Sequence, residues 1–226
     1  MRTQPTDYDY EVDEFIEGDL YHCDAIVTGG QVRVMLSGKY FFPLASFFDD
    51  KVCGSVALSV EDEAHRELAA LNVKVLKALG MPNGVYHLEA FRTHLGELIF
   101  LEVGARPAGA LVPEMYEKAF DINLHEAHIL AQVCGESPVQ PRKLFESFWL
   151  WVPPQEGILT QINALSIKSQ HEYTVRFKVG ECLKKPKEIV DRFGGVLAWD
   201  RCFEYLSEDI SILTKAFRFF EITQDL

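Results

Sequence analysis

The sequence lacks several features that would assign it to common protein classes. None of its five cysteines belongs to a C-x-x-C pair, which argues against a zinc ribbon or a dithiol redox site. There is no run of 18 apolar residues, so no membrane-spanning helix is expected. Neither a G-x-G-x-x-G nor a G-K-[ST] phosphate loop occurs. Basic residues are few: 22 Lys and Arg against 34 Asp and Glu give a net charge of −12, which argues against nucleic acid as a partner.

What remains is a chain rich in core-forming residues. Hydrophobic residues make up 48% of the 226 positions, enough for one large domain or two small ones. The first residues are polar and do not form a signal peptide. The cysteines are odd in number and scattered, which favours a reduced state and a cytoplasmic location.

The most informative stretch runs from Val85 to Gly109 and reads VYHLEAFRTHLGELIFLEVGARPAG. Its apolar and aromatic content predicts two β-strands, over 85–92 and 98–103, joined by a turn around Gly96. If the turn has an even number of residues, Glu89 and Glu102 are directly opposed on one face of the hairpin. An odd turn would instead put them on opposite faces.

Two opposed carboxylates repel each other unless a proton or a cation lies between them. Mg²⁺ is commonly bound by one or two carboxylates together with substrate phosphate oxygens. Arg106 follows in a glycine- and proline-containing loop, and its guanidinium is suited to phosphate. Glu89, Glu102 and Arg106 therefore indicate half of a phosphoryl-transfer site. The alternative is a half-exposed hairpin with solvated glutamates.

A second hairpin is predicted near the N-terminus. Strands over 21–28 and 31–36 flank Gly29-Gly30, a strong two-residue turn signal. This register sets His22 opposite Ser37. Side-chain alternation puts Cys23 on the other face, so His22 and Cys23 cannot ligate the same metal ion.

The motif HLEAF followed by ELIFLEVGARPAG resembles the metal-binding end of the ATP-grasp superfamily, which includes biotin carboxylase, carbamoyl phosphate synthetase and the L-amino-acid ligases. In that family two acidic residues about a dozen positions apart bind Mg²⁺–ATP, and the second opens an E-x-N-x-R pattern. Glu89 and Glu102 match the acids and Arg106 the arginine, whereas Gly104 stands where the asparagine is expected. The resemblance implies ATP and Mg²⁺ as cofactors, with Mn²⁺ as a substitute.

The stretch VDEFIEGDLYHCD resembles the ATP-grasp hinge, E-x-[FY]-[ILV]-x-G followed by a strand. In the family, backbone groups of the hinge recognise the adenine ring. The resemblance implies that His22 lies near the ribose with Asp24 beside it. It also implies that four residues line the adenine edge: Asp13, Glu14, Phe15 and Ile16.

The fold class expected from these patterns is α+β, an antiparallel sheet backed by helices. Apolar spacing predicts a helix that begins near Glu61 and ends at Gly80. Asn123 and Glu126 form a capping-box pattern that opens another helix.

The chain is expected to divide into two units. Residues 1–137 would form the C-terminal subdomain of an ATP-grasp fold with its hinge, and residues 138–226 a small β-rich C-terminal domain. The basic cluster Lys184, Lys185 and Lys187 is expected to be a solvated loop.

By resemblance, the chain is the C-terminal portion of an ATP-dependent carboxylate–amine ligase that acts through an acyl phosphate. Its expected partners are a nucleotide, small carboxylate and amine substrates, and an ATP-grasp N-terminal region supplied in cis or in trans. Nucleic acid and membranes are not expected as partners. The alternative is a non-catalytic descendant that serves as a ligand-binding or interaction domain.

Overall fold

The computed structural model describes residues 13–137 and 141–224. The strands are β1 (Gly18–Thr28), β2 (Gln31–Tyr40), β3 (Cys53–Ala57), β4 (Gly84–Thr93), β5 (Leu98–Gly104), β6 (Glu146–Val152), β7 (Gly157–Ile162), β8 (Gln170–Val175), β9 (Cys182–Leu183), β10 (Gly194–Asp200) and β11 (Phe220–Thr223). The helices are α1 (Glu63–Ala78), α2 (Val112–Phe120), α3 (Leu124–Cys134) and α4 (Phe203–Lys215), with a 3₁₀ helix at Leu44–Asp49. Within this described part, no helix is long and apolar enough to cross a membrane.

Eight strands form one antiparallel sheet in the order β5-β4-β1-β2-β3-β6-β10-β8. Helix α1 covers one face, where Leu68 packs with Leu88 and Ala90 of β4. Helices α2 and α3 cover the other face, and their buried Tyr116 and Leu124 belong to the largest apolar cluster. Asn123 caps α3 as predicted, since its side chain accepts the Glu126 N–H at 3.0 Å. The expected antiparallel sheet backed by helices is confirmed.

The C-terminal third of the chain extends this sheet. Strand β6 pairs with β3, and β10 and β8 follow it. A second sheet of three strands, β11-β7-β9, lies beside α4 over a second apolar cluster. Residues 138–140, at the predicted domain boundary, lie outside the described residues, and the division of the chain at 137 stays a prediction.

The β1–β2 hairpin departs from its predicted register. Near the turn Thr28 pairs with Gln31 as expected, but a bulge between Ile26 and Val27 shifts the pairing by one residue. His22 therefore lies opposite Gly38 and not opposite Ser37. A Cβ at position 38 would collide with the His22 imidazole, so glycine provides the room for this side chain.

The β4–β5 hairpin has the predicted pairing of its glutamates, but its turn differs from the predicted one. The expectation of an even turn is wrong: Arg92 pairs with Leu98, a register that belongs to an odd turn. A bulge then leaves Leu101 without a partner and restores the pairing of Glu89 with Glu102. The two glutamates are therefore opposed across the hairpin, which confirms the predicted pairing.

Candidate functional site

Most of the predicted polar residues lie in two neighbouring rows across the sheet. In the first row, His22 of β1 pairs with Glu89 of β4, which pairs with Glu102 of β5. In the second row, Asp24 pairs with His87, and His87 pairs with Gly104. Side chains that are paired directly, or are two residues apart on one strand, share a face of the sheet. The rows thus bring the two predicted metal ligands together with two imidazoles and a third carboxylate.

Asp24 is the centre of a buried polar network. Its side chain is fully buried, and its two oxygens lie 3.0 Å from His22 Nδ1 and 2.8 Å from His87 Nδ1. The Tyr116 hydroxyl of α2 donates a third hydrogen bond at 3.1 Å. Burial alone would raise the pKa of Asp24, but the charge of His87 and the hydrogen bonds from both imidazoles hold that pKa well below its usual range. Asp24 is therefore an ionised carboxylate inside the core.

His87 connects Asp24 to Glu89. Its Nδ1 faces Asp24, and its Nε2 lies 3.4 Å from Glu89 Oε1. Burial would lower the pKa of His87, but the charge of Asp24 and the hydrogen bonds to both carboxylates outweigh it and raise the pKa to about 10. At neutral pH His87 is therefore an imidazolium between two carboxylates.

Glu89 is held by two contacts on the same oxygen. Tyr40 of β2 donates to Oε1 at 2.6 Å, and His87 approaches that oxygen from the other side. Burial would raise the pKa of Glu89, but the hydrogen bonds from His87 and Tyr40 lower it overall. The carboxylate is thus ionised and oriented, and both contacts are made to Oε1.

His22 is fixed on both sides of its ring. Its Nε2 lies 2.9 Å from Ser55 Oγ, and that hydroxyl oxygen accepts a hydrogen bond from Trp149 Nε1 at 2.8 Å. His22, Asp24 and His87 also place ligand atoms within 4.8 Å of one another, as a metal site would require. Each Nδ1, however, faces an Asp24 oxygen at hydrogen-bond distance, so both Asp24 oxygens are already occupied by hydrogen bonds to protein groups.

The remaining predicted residues lie on the surface around this network. Glu102 and Arg106 are exposed, and Arg106 Nη1 donates to the neighbouring Pro107 carbonyl at 2.9 Å. The hinge residues precede β1: Ile16 is half-buried and three are exposed, namely Asp13, Glu14 and Phe15. Phe15 is 86% exposed. These residues do not enter the buried network, and Glu102 is its neighbour only through Glu89.

Sequence reasoning missed most of the residues that surround Glu89. His87 could have been found, because it lies two positions before Glu89 on the same strand and alternation puts both on one face. The others come from distant elements that no local pattern connects to Glu89: Tyr40, Ser55, Tyr116 and Trp149.

Comparison with known proteins gives matches to ligases. Over 114 residues the chain is 36% identical to an L-arginine-specific L-amino acid ligase from Bacillus subtilis; the match covers 50% of this chain and 27% of that protein. No family model matches the chain. The L-amino acid ligase structure from Bacillus licheniformis superposes over 94% of this chain with a TM-score of 0.69 at 19% identity. The fold is that of the ATP-grasp superfamily.

Other ATP-grasp structures superpose on the same part. Phosphoribosylglycinamide synthetase from Anaerococcus prevotii gives a TM-score of 0.69 at 18% identity, over 94% of this chain and 55% of that one. A biotin carboxylase domain from Hydrogenobacter thermophilus, solved with MgADP, gives 0.57 at 14% identity, over 92% and 47%. The chain thus spans about half the length of the ATP-grasp structures it matches. The resemblance inferred from the sequence is confirmed.

Proposed function

We propose that this chain is the C-terminal part of an ATP-dependent carboxylate–amine ligase and that it binds MgATP. The single observation that carries the proposal is the pairing of Glu89 with Glu102 beside an ionised, buried network. Sequence identity to an L-amino acid ligase supports the reaction class. In that reaction ATP phosphorylates a carboxylate, and an amine then displaces phosphate from the acyl phosphate.

The nucleotide is proposed to lie along β1. Gly18, the last residue of the hinge motif, pairs with Thr93, and His22, four residues further, pairs with Glu89. Four residues of β-strand correspond to roughly 13 Å. The adenine would contact the hinge backbone, the ribose would lie near His22, and the phosphates would reach Glu89 and Glu102.

Glu89 and Glu102 offer oxygen ligands, which suit Mg²⁺ and also Mn²⁺. The bound ion would neutralise phosphate charge as it develops during transfer. Arg106 is exposed, and within the described part of the chain its guanidinium donates only to its own loop, so it can turn toward a phosphoryl group. The rest of the nucleotide cradle is proposed to come from an ATP-grasp N-terminal region in cis or in trans, within the cytoplasm.

Thermal unfolding with and without MgADP or MgATP tests this proposal. A ligand at 100 times its Kd stabilises a protein by about 2.7 kcal/mol, so millimolar MgADP should raise the Tm measurably. Glu102→Gln should abolish the shift while the Tm without ligand stays unchanged. Glu97→Gln is the matched control, because Glu97 is exposed in the same hairpin but lies outside both rows. An equal shift in all three proteins would refute the metal assignment.

A non-catalytic binding domain is the second candidate. Gly104 stands where the ATP-grasp pattern has asparagine, and the sequence has no glycine-rich phosphate loop. An unchanged Tm at millimolar MgADP and MgATP would favour this candidate. Titration with Mn²⁺, followed by its paramagnetic resonance signal, separates the two cases, since only the first requires a carboxylate-dependent cation site.

A further inference from the structure

A second charged region lies at the other end of the large sheet. Arg176, Lys184, Lys185, Lys187 and Arg192 line a groove of about 500 Å³, hereafter the basic groove. It lies next to β8, β9 and the segment before β10. The expectation of a solvated lysine loop therefore omitted two arginines that the fold brings to the same groove. Five cations around one groove are unexpected in a chain of net charge −12.

The two arginines are fixed by contacts that do not neutralise them. The Arg192 guanidinium lies 3.9 Å from the centroid of the Trp151 ring, and Arg176 Nη1 donates to the Val190 carbonyl at 3.0 Å. The pKa of Arg192 is lowered, first by burial and then by the nearby charge of Arg176. Two guanidiniums of like charge therefore line the same groove, and an anion between them would relieve their repulsion.

The carboxylate in the groove does not balance this charge. Asp191 Oδ2 accepts the backbone N–H groups of Lys187 and Glu188 at 3.0 and 3.1 Å, and the charges of Lys187 and Arg176 also act on this carboxylate. One carboxylate against five cations leaves an excess of four positive charges among the residues that line the groove. The same groove has an apolar wall that includes Phe177 and Pro154.

We propose that the basic groove binds a small phosphate-bearing ligand, inorganic phosphate or a phosphate monoester. Guanidinium groups present paired N–H donors that match phosphate oxygens, and the lysines add further charge. The volume lies within the range of small-molecule sites, and the apolar wall suits the organic part of an ester. An extended polyanion such as nucleic acid is disfavoured, because the chain as a whole is strongly acidic.

This site is separate from the carboxylate rows. The groove adjoins β8 and β10, and β10 lies five strand positions from β4, which carries Glu89. At a strand spacing of about 4.8 Å this amounts to roughly 24 Å along the sheet. The proposal therefore does not depend on whether Glu89 and Glu102 bind a cation.

Isothermal titration of the full chain with inorganic phosphate and with a phosphate monoester tests the proposal, at constant ionic strength and in EDTA. The double variant R176Q/K187Q should weaken binding by about tenfold or more, because it removes two charged donors. Both residues are exposed, so the fold should be retained. The control K74Q/K77Q makes the same change of charge on exposed positions of α1 and should bind like the unmodified chain.

Four outcomes would overturn the proposal. The first is the absence of saturable phosphate binding, and the second is an equal loss of phosphate affinity in the two double variants. The third is a dicarboxylate that binds as tightly as phosphate. The fourth is a short oligonucleotide that binds more tightly than the monoester. Glu102→Gln should bind phosphate normally. Failure of the MgADP test and failure of this test are therefore distinguishable.

Discussion

The two ends of the large sheet both hold like charges close together, but they compensate them differently. At the β4 end, Asp24 and Glu89 are buried, and the imidazolium of His87 lies between them. At the β8–β10 end, Arg176 and Arg192 line one groove with three lysines, and Asp191 is the single carboxylate among its lining residues. At the β4 end the compensating charge belongs to a protein side chain. At the β8–β10 end we propose that it comes from a ligand.

This difference predicts where charge contributes to stability. A buried carboxylate whose partner is a protein side chain cannot be altered without leaving the partner's charge unpaired in the core. An exposed cation whose counter-charge is a ligand from solution can be altered with little effect on the free energy of unfolding. Three experiments follow from this difference.

The largest effect is expected for Asp24→Asn. The variant leaves His87 with one carboxylate fewer in a buried site, and the free energy of unfolding should fall by about 3–5 kcal/mol. Arg176→Gln at the other end should change it by less than about 0.5 kcal/mol. Urea denaturation followed by tryptophan fluorescence measures both.

Asp19→Asn is the matched control for the loss of a carboxylate. Asp19 pairs with Lys39 at 2.6 Å, but Asp19 is exposed and Lys39 is only half-buried, so the loss should stay below about 1 kcal/mol. If Asp24→Asn costs no more than this control, the buried network does not stabilise the fold.

A smaller effect on the free energy of unfolding is expected from a change of pH. The pKa of His87 is raised from 6.5 to about 10, so the stability it contributes is complete below pH 6.5 and is lost as the pH rises through about 10. Nitrogen NMR of the imidazole should therefore show His87 still protonated at pH 8.5. A midpoint near 6.5 would contradict the assignment.

The free energy of unfolding should be measured only up to pH 8.5. The buried thiols of Cys23 and Cys53 have pKa values raised to about 12, mainly by burial, so they destabilise the fold once unfolded thiols ionise near pH 9. The decline between pH 6.5 and 8.5 should be absent in His87→Gln. An unchanged slope in that variant would assign the decline to another group.

The smallest effect, a change in Mn²⁺ affinity, is expected for Gly104→Asn. An added Cβ would lie 3.3 Å from Arg106 Cγ, the flexible part of an exposed side chain, so the change should be tolerated. The amide oxygen would add a ligand next to Glu102 and should tighten Mn²⁺ binding by up to about tenfold. Mn²⁺ titration by paramagnetic resonance measures this affinity.

Gly109→Asn provides the control, since an added Cβ there meets no atom within 4 Å. Equal affinities in the two variants would show that position 104 does not contribute a ligand. Tighter binding only in Gly104→Asn would support a cation site at Glu102 and sharpen its contrast with the basic groove.

The sequence predicted the elements better than their registers. Strand patterns and turn glycines identified both hairpins, because these signals are local. The bulge of β2 opposite Ile26 and Val27 and the bulge at Leu101 could not be predicted, since both depend on packing across the sheet. The pairing of Glu89 with Glu102 was therefore predicted correctly from an incorrect turn length.

The surroundings of the site were predicted least well. Tyr116 lies 92 residues from Asp24 along the chain, and Tyr40 lies 49 residues from Glu89. Only the packing of α2 on the sheet and the order of the strands bring these hydroxyls to the carboxylates. The basic groove was missed for the same reason, because Arg176 and Arg192 flank the lysine cluster at a distance in sequence.

The unpaired Leu101 has a consequence for how this hairpin tolerates changes in length. The odd turn displaces β5 by one residue relative to β4, and the bulge displaces it back. A single insertion or deletion at the tip would therefore transfer Glu102 to the α1 face, away from Glu89. Only a simultaneous loss of the bulge would cancel the shift, so tip length and bulge have to change together during evolution or engineering.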